Sequence, residues 1–69
     1  MEFNLDGHEY IELCNLLKIT GLCHSGGMAK MVIDDGVVLV DGLVETRKRR
    51  KVRAGQVVEF GSKKISVSP

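Results

Sequence analysis

The spacing of apolar residues changes once along this chain of 69 residues. In the segment EYIELCNLLKI, residues 9–19, Tyr10, Leu13, Cys14 and Leu17 recur at i, i+3, i+4 and i+7, which is one face of a helix. Ile11 and Leu16 widen that face, as a helix packed on two sides requires. Thr20-Gly21 ends the segment, with Gly21 free to take the left-handed conformation that stops a helix. A second helix is predicted in HSGGMAKMVIDDG: Ser25 is a good N-cap, Met28, Ala29, Val32 and Ile33 form the buried stripe, and Gly36 closes it. Ahead of both helices, residues 2–5 (EFNL) suit a short strand followed by an Asp6-Gly7 turn.

From Val37 the period becomes two. VVLVDGLVE reads as two strands around Asp41-Gly42, a sequence preferred by two-residue hairpin turns. RAGQ is a second turn, VVEF a strand, GSK a third turn and KISV a last strand. No internal repeat, linker or low-complexity segment interrupts this order. The expected fold is therefore α+β, two short helices packed on a small antiparallel sheet, in a single domain over residues 1–69.

Composition narrows the function classes. An apolar content of 43% argues against disorder. A domain of this size buries only about 60% of the surface its unfolded chain exposes, which leaves no volume for an enzyme-sized buried cavity. No apolar run approaches the roughly 18 residues of a membrane span, and residues 1–6 lack the basic start and apolar run of a signal peptide. The expectation is a soluble, cytoplasmic protein with no membrane contact. Cys14, on the apolar stripe, reads as a small core residue; with Cys23 it makes one disulfide at most. Cys14, Cys23, His8 and His24 lack the paired spacing of a zinc site, so neither a metal nor another cofactor is expected.

Charge changes the picture most. Residues 1–46 hold Lys18 and Lys30 against eight acids, a sum of −6; residues 47–69 hold eight cations against Glu59 alone, a sum of +7. The net charge of +1 conceals a dipolar molecule. Most of the positive charge lies in TRKRRKVR, residues 46–53, where Arg47, Lys48, Arg49, Arg50, Lys51 and Arg53 stand without an acid between them and Val52 reads as an anchor to the core. Arginine forks onto phosphate oxygens and lysine adds a mobile point charge, so a polyanion that releases counterions on binding would offset the mutual repulsion of these groups. Phe3, Tyr10 and Phe60 are the only aromatics, too few for a base-stacking sheet surface, so phosphate and shape contacts are expected instead.

Catalysis finds no support in the pattern. Ser25 and His24 are adjacent and do not face each other as nucleophile and base, and Glu9 and Glu12 read as a solvated face. GLCHSGG lacks the Lys-Ser/Thr ending of a nucleotide loop. No enzyme activity is expected. Gly26 and Gly27 weaken the first turn of the second helix, which suggests close approach either of the neighbouring helix or of a phosphate at its N–H groups.

The ordered pieces LLKITGLCHSGGMAKMVIDDGVVLVDGLV and VRAGQVVEF resemble the αL RNA-binding domain, the superfamily named after ribosomal protein S-four, over roughly residues 11–60. The matching positions are Ser25, Ala29, Lys30, Val32-Ile33, Gly36, Val38, Val40, Asp41, Gly42, Val52, Gly55 and Gln56. The resemblance implies an αL motif that grips structured RNA, of ribosomal or transfer type, through the two-helix face and nearby loops. Two positions depart from the family: Gly26 stands where many members have an arginine after the capping serine, and Glu12 where many begin the first helix with one. The basic run is expected to compensate. The candidate RNA-binding set is Lys18, Ser25, Gly26, Gly27, Lys30, Arg47, Lys48, Arg49, Arg50, Lys51 and Arg53, taken as one surface across both elements. The alternative is a protein-interaction module whose basic loop docks on an acidic ribosomal or RNA-processing partner. A monomer is expected, with the last strand, residues 64–68, an exposed edge open to pairing.

Overall fold

A computed structural model describes all of residues 1–69. Its elements follow the order β1 (Glu2–Asn4), β2 (Ile11–Glu12), α1 (Leu13–Ile19), α2 (Gly26–Asp34), β3 (Val38–Val40), β4 (Leu43–Val44), β5 (Lys51–Val52), β6 (Val57–Phe60) and β7 (Lys63–Ser68). The class is α+β, as the change of period predicts.

Local chemistry explains most boundaries. Ser25 is extended (φ −151°, ψ 160°) and its Oγ accepts from the Met28 N–H at 3.0 Å, which supplies one of the orphan donors of α2. Gly36 closes the helix at φ 76°. Asp41 and Gly42 both take positive φ, 52° and 82°, as a type I′ hairpin turn between β3 and β4 requires. Asp41 then does more than turn the chain: its Oδ1 accepts from the Val57 N–H at 2.9 Å and its Oδ2 from Gln56 Nε2 at 3.0 Å. Those two bonds, backbone first, hold its carboxyl below the usual range.

The main sheet has the order β1-β7-β6-β3-β4. Its valines and isoleucine alternate so that Val38, Val40, Val58, Ile65 and Val67 are buried on one face. They join Leu13, Leu16, Leu17, Ala29 and Ile33 from the helices and Val52 from β5 in one core, with Val52 the expected anchor. Cys14 and Cys23 are both buried and unbonded, and burial pushes the Cys23 thiol up. Neither helix is long and apolar enough to cross a membrane.

Three expectations need correction. The first helix begins at Leu13, not at Glu9, because Ile11 and Glu12 pair antiparallel with Val52 and Lys51 in a separate two-stranded ribbon. Tyr10 consequently leaves the buried stripe and is 37% exposed. The sheet is mixed, since β1 runs parallel to β7. That pairing also places β7 between β1 and β6, so the last strand is interior and the free edges are β1 and β4.

Candidate nucleic-acid interface

The basic run folds as a tethered turn. Arg50 N–H donates to the Arg47 carbonyl at 3.2 Å, closing the turn. The carbonyls of Arg50 and Lys48 then accept from the Leu13 and Cys14 N–H groups at 2.9 and 3.1 Å. Glu12, the N-cap residue, makes no side-chain cap. The loop backbone therefore supplies the partners that the start of α1 lacks, and Val52 fixes its far end in the core.

The side chains are less free than the sequence suggests. Glu45 lies two residues ahead of Arg47 and bridges two arginines: its Oε2 accepts from Arg47 Nε at 2.9 Å and its Oε1 from Arg50 Nε at 2.8 Å. Arg47 adds bonds from its backbone N–H and its Nη2. Hydrogen bonding to Arg47 above all, with the positive charges of Arg47 and Arg50, holds the Glu45 carboxyl at about 2 against partial burial that opposes it. The same contact raises Arg47. Lys48 Nζ lies 3.5 Å from Asp34 Oδ1 at the end of α2, between exposed groups. The run contains no acid, as expected, but Glu45 and Asp34 partner three of its six cations.

The run still converges on one place. Arg47, Arg49, Arg50 and Lys51 wall an open hollow of about 470 Å³, and of these Arg49 and Lys51 make no ion pair. On the adjoining ribbon, the Tyr10 ring centroid lies 5.0 Å from Lys51 Nζ and 5.6 Å from Arg53 Cζ. An exposed aromatic thus stands beside the cations, where the sequence pattern puts Tyr10 in the core. A larger open groove of about 700 Å³ also borders Tyr10. Asp6, Glu9 and Glu12 line it with no lysine or arginine, which makes it a poor seat for phosphate.

The remaining predicted residues lie along the helices. Lys30 and Asp34 are one turn apart on α2, so the Lys48–Asp34 bridge continues the line of Lys30 toward the basic turn. Gly26 is one turn before Lys30 on that line. Gly26 and Gly27 do not serve close helix packing: a Cβ on Gly26 would meet nothing within 4 Å, and one on Gly27 only Ser25 Oγ at 3.8 Å. Lys18 is exposed in the last turn of α1, about 8 Å along the axis from the start that the basic turn caps.

The S4 domain model matches residues 3–68. This chain belongs to the S4 domain family. Among curated S4 relatives, it is 51% identical over 65 residues to YbcJ of Escherichia coli (strain K12), covering 94% of this chain and 93% of that protein. It is 42% identical over 57 residues to RlbA of Bacillus subtilis (strain 168), named as a probable ribosome maturation protein, covering 78% and 80%. The solution structure of E. coli YbcJ, described as having an αL motif involved in RNA binding, superposes with a TM-score of 0.77 at 48% identity, over 99% of this chain and 86% of that one.

Proposed function

We propose that this S4 domain binds structured RNA, of ribosomal or transfer type, through phosphate and shape contacts and without catalysis of its own, in the cytoplasm. The observation that carries the reading is the hollow walled by Arg47, Arg49, Arg50 and Lys51, in which Glu45 fixes Arg47 and Arg50 while Arg49 and Lys51 make no ion pair. The Arg49 fork and the Lys51 ammonium, backed by the two tethered arginines, match a phosphate's charge and oxygen geometry. Lys30 and the open backbone at Gly26-Gly27 extend the grip along α2, and Lys18 marks its far limit. The solved αL motif of YbcJ and the naming of RlbA favour RNA, and ribosome-associated RNA in particular.

Binding to ribosomal and transfer RNA fragments at several salt concentrations, against matched duplex DNA, tests this. With Glu45 and Asp34 offsetting part of the charge, neutralising about four phosphates gives a log–log salt slope near −4 by the duplex coefficient. RNA-preferring, salt-steep binding supports the reading; salt-independent binding or none refutes it. A second reading, docking on a protein partner, draws on the β4 edge, where Leu43 is 73% and Val44 60% exposed. Co-purification that survives nuclease treatment would favour it.

A further inference from the structure

Tyr10 lies at a boundary between two unlike surfaces. Antiparallel pairing of Ile11 with Val52 and of Glu12 with Lys51 places Tyr10 opposite Arg53. Side chains alternate along a strand, so Tyr10, Glu12, Lys51 and Arg53 share the outer face of the ribbon while Val52 faces the core. Lys51 belongs both to this face and to the wall of the cationic hollow. Tyr10 belongs both to this face and to the groove that carries Glu9 and Glu12.

We propose that Tyr10 is a stacking platform for one unpaired nucleotide of the bound RNA, its phosphate held by Lys51 and Arg53 and its base laid on the ring toward the Glu9–Glu12 groove. The proposal rests on the RNA-binding reading and adds to it a distinct recognition element. Three observations converge on it. Tyr10 is 37% exposed and borders an open groove. Lys51 and Arg53 lie over the ring at 5.0 and 5.6 Å from its centroid, and neither lines the groove that Tyr10 borders, so a base laid on the groove side of the ring would carry its phosphate beside both cations. The two flanking surfaces sort the ends of a nucleotide. The hollow attracts its phosphate, while the carboxylates of Glu9 and Glu12 repel phosphate and accept hydrogen bonds from base N–H groups. Guanine, with its N1–H and N2 amino group side by side, suits a carboxylate best. A fully paired helix offers no free base face, so this element selects a bulge, a loop or a helix end.

The chain's own chemistry supplies the probe. Tyr10 is its only tyrosine and there is no tryptophan, so intrinsic fluorescence reports this site alone. The experiment compares three hairpins that share one structured loop and one end: unbulged, with one bulged guanosine, and with an abasic residue at the same bulge, the two bulged forms carrying the same number of phosphates. Base–aromatic stacking predicts that the wild-type protein prefers the guanosine bulge over the abasic one by about 5- to 100-fold, with quenching of tyrosine emission. Tyr10→Leu should erase that preference while binding the unbulged hairpin as before, and Tyr10→Phe should keep it. Circular dichroism and thermal melting confirm that both variants fold. Equal binding of the guanosine and abasic bulges by the wild type overturns the proposal. So does equal weakening of all three hairpins by Tyr10→Leu, which would reduce the ring to a prop for Lys51 and Arg53. Either result leaves the salt-steep RNA binding intact; loss of binding to every hairpin, or binding that salt does not weaken, would refute the underlying reading.

Discussion

Glu45→Gln removes one charge and leaves the shape of the side chain. The Glu45 side chain is 12% exposed and accepts from Arg47 and Arg50 at 2.8 to 3.0 Å. Its carboxyl is displaced from 4.5 to about 2. At 1.36 kcal/mol per pH unit that displacement is worth at most about 3 kcal/mol. Arg47 is 73% exposed, and solvent screening of that partner lowers the contribution to about 1–2 kcal/mol. Because the folded-state value is depressed, the stabilisation is complete above about pH 4.5 and is lost as pH falls toward 2. Thermal melting of the two proteins from pH 7 to pH 2 tests both statements. At pH 7 the variant should melt about 5–15 °C lower, given about 4–8 °C per kcal/mol for a domain of this size. The two curves should converge as the wild-type carboxyl becomes protonated. Equal melting temperatures at pH 7 would refute the bridge as a source of stability. A gap that persists unchanged to pH 2 would show that the loss comes from packing and not from charge.

Two further outcomes follow from the fold. Ser25→Ala leaves the Met28 N–H without its side-chain acceptor and should cost about 1 kcal/mol; a melting temperature equal to that of the wild type would show that water replaces the cap without loss. Cys14 and Cys23 should resist alkylation in the native protein and react readily in denaturant, since both are buried and Cys23 is held protonated by its surroundings; rapid native-state labelling would contradict the packing.

The parts of the fold that were legible in the sequence are those with local causes. The Ser25 cap, the Gly36 stop and the Asp41-Gly42 turn each need only a few neighbouring residues, and each lies where the pattern places it. The start of α1 has no local cause. Tyr10, Leu13, Cys14 and Leu17 satisfy helical spacing, yet residues 11 and 12 are held extended by Lys51 and Val52, some 40 positions away. The parallel β1–β7 pair is hidden for the same reason. In the candidate site, the charge of the basic run could be counted, but its neutralisation could not. Dividing the chain after residue 46 assigns Glu45 to the acidic half, whereas in space it belongs to the arginines. Tyr10 was masked by the helical spacing it happens to share. Only the cross-strand position of Arg53 shows which face it presents.

The parallel strand pair also sets an order of assembly. Ser66 N–H donates to the Met1 carbonyl and Leu5 N–H to the Ser68 carbonyl, and the Ser68 hydroxyl reaches Phe3 across 65 positions of chain. β6 and β7 are joined by a tight turn at Gly61 and can zip together as soon as both exist. β1 cannot pair until residues 63–68 have been made, roughly 3–12 s after it at about 5–20 residues per second. Even then its docking closes the longest loop in the molecule, the kind of contact that slows folding. During synthesis Phe3 and Leu5 therefore remain without their sheet partners while the β6–β7 hairpin is still being built. The first of the sheet's strands to be made is the last one able to join it.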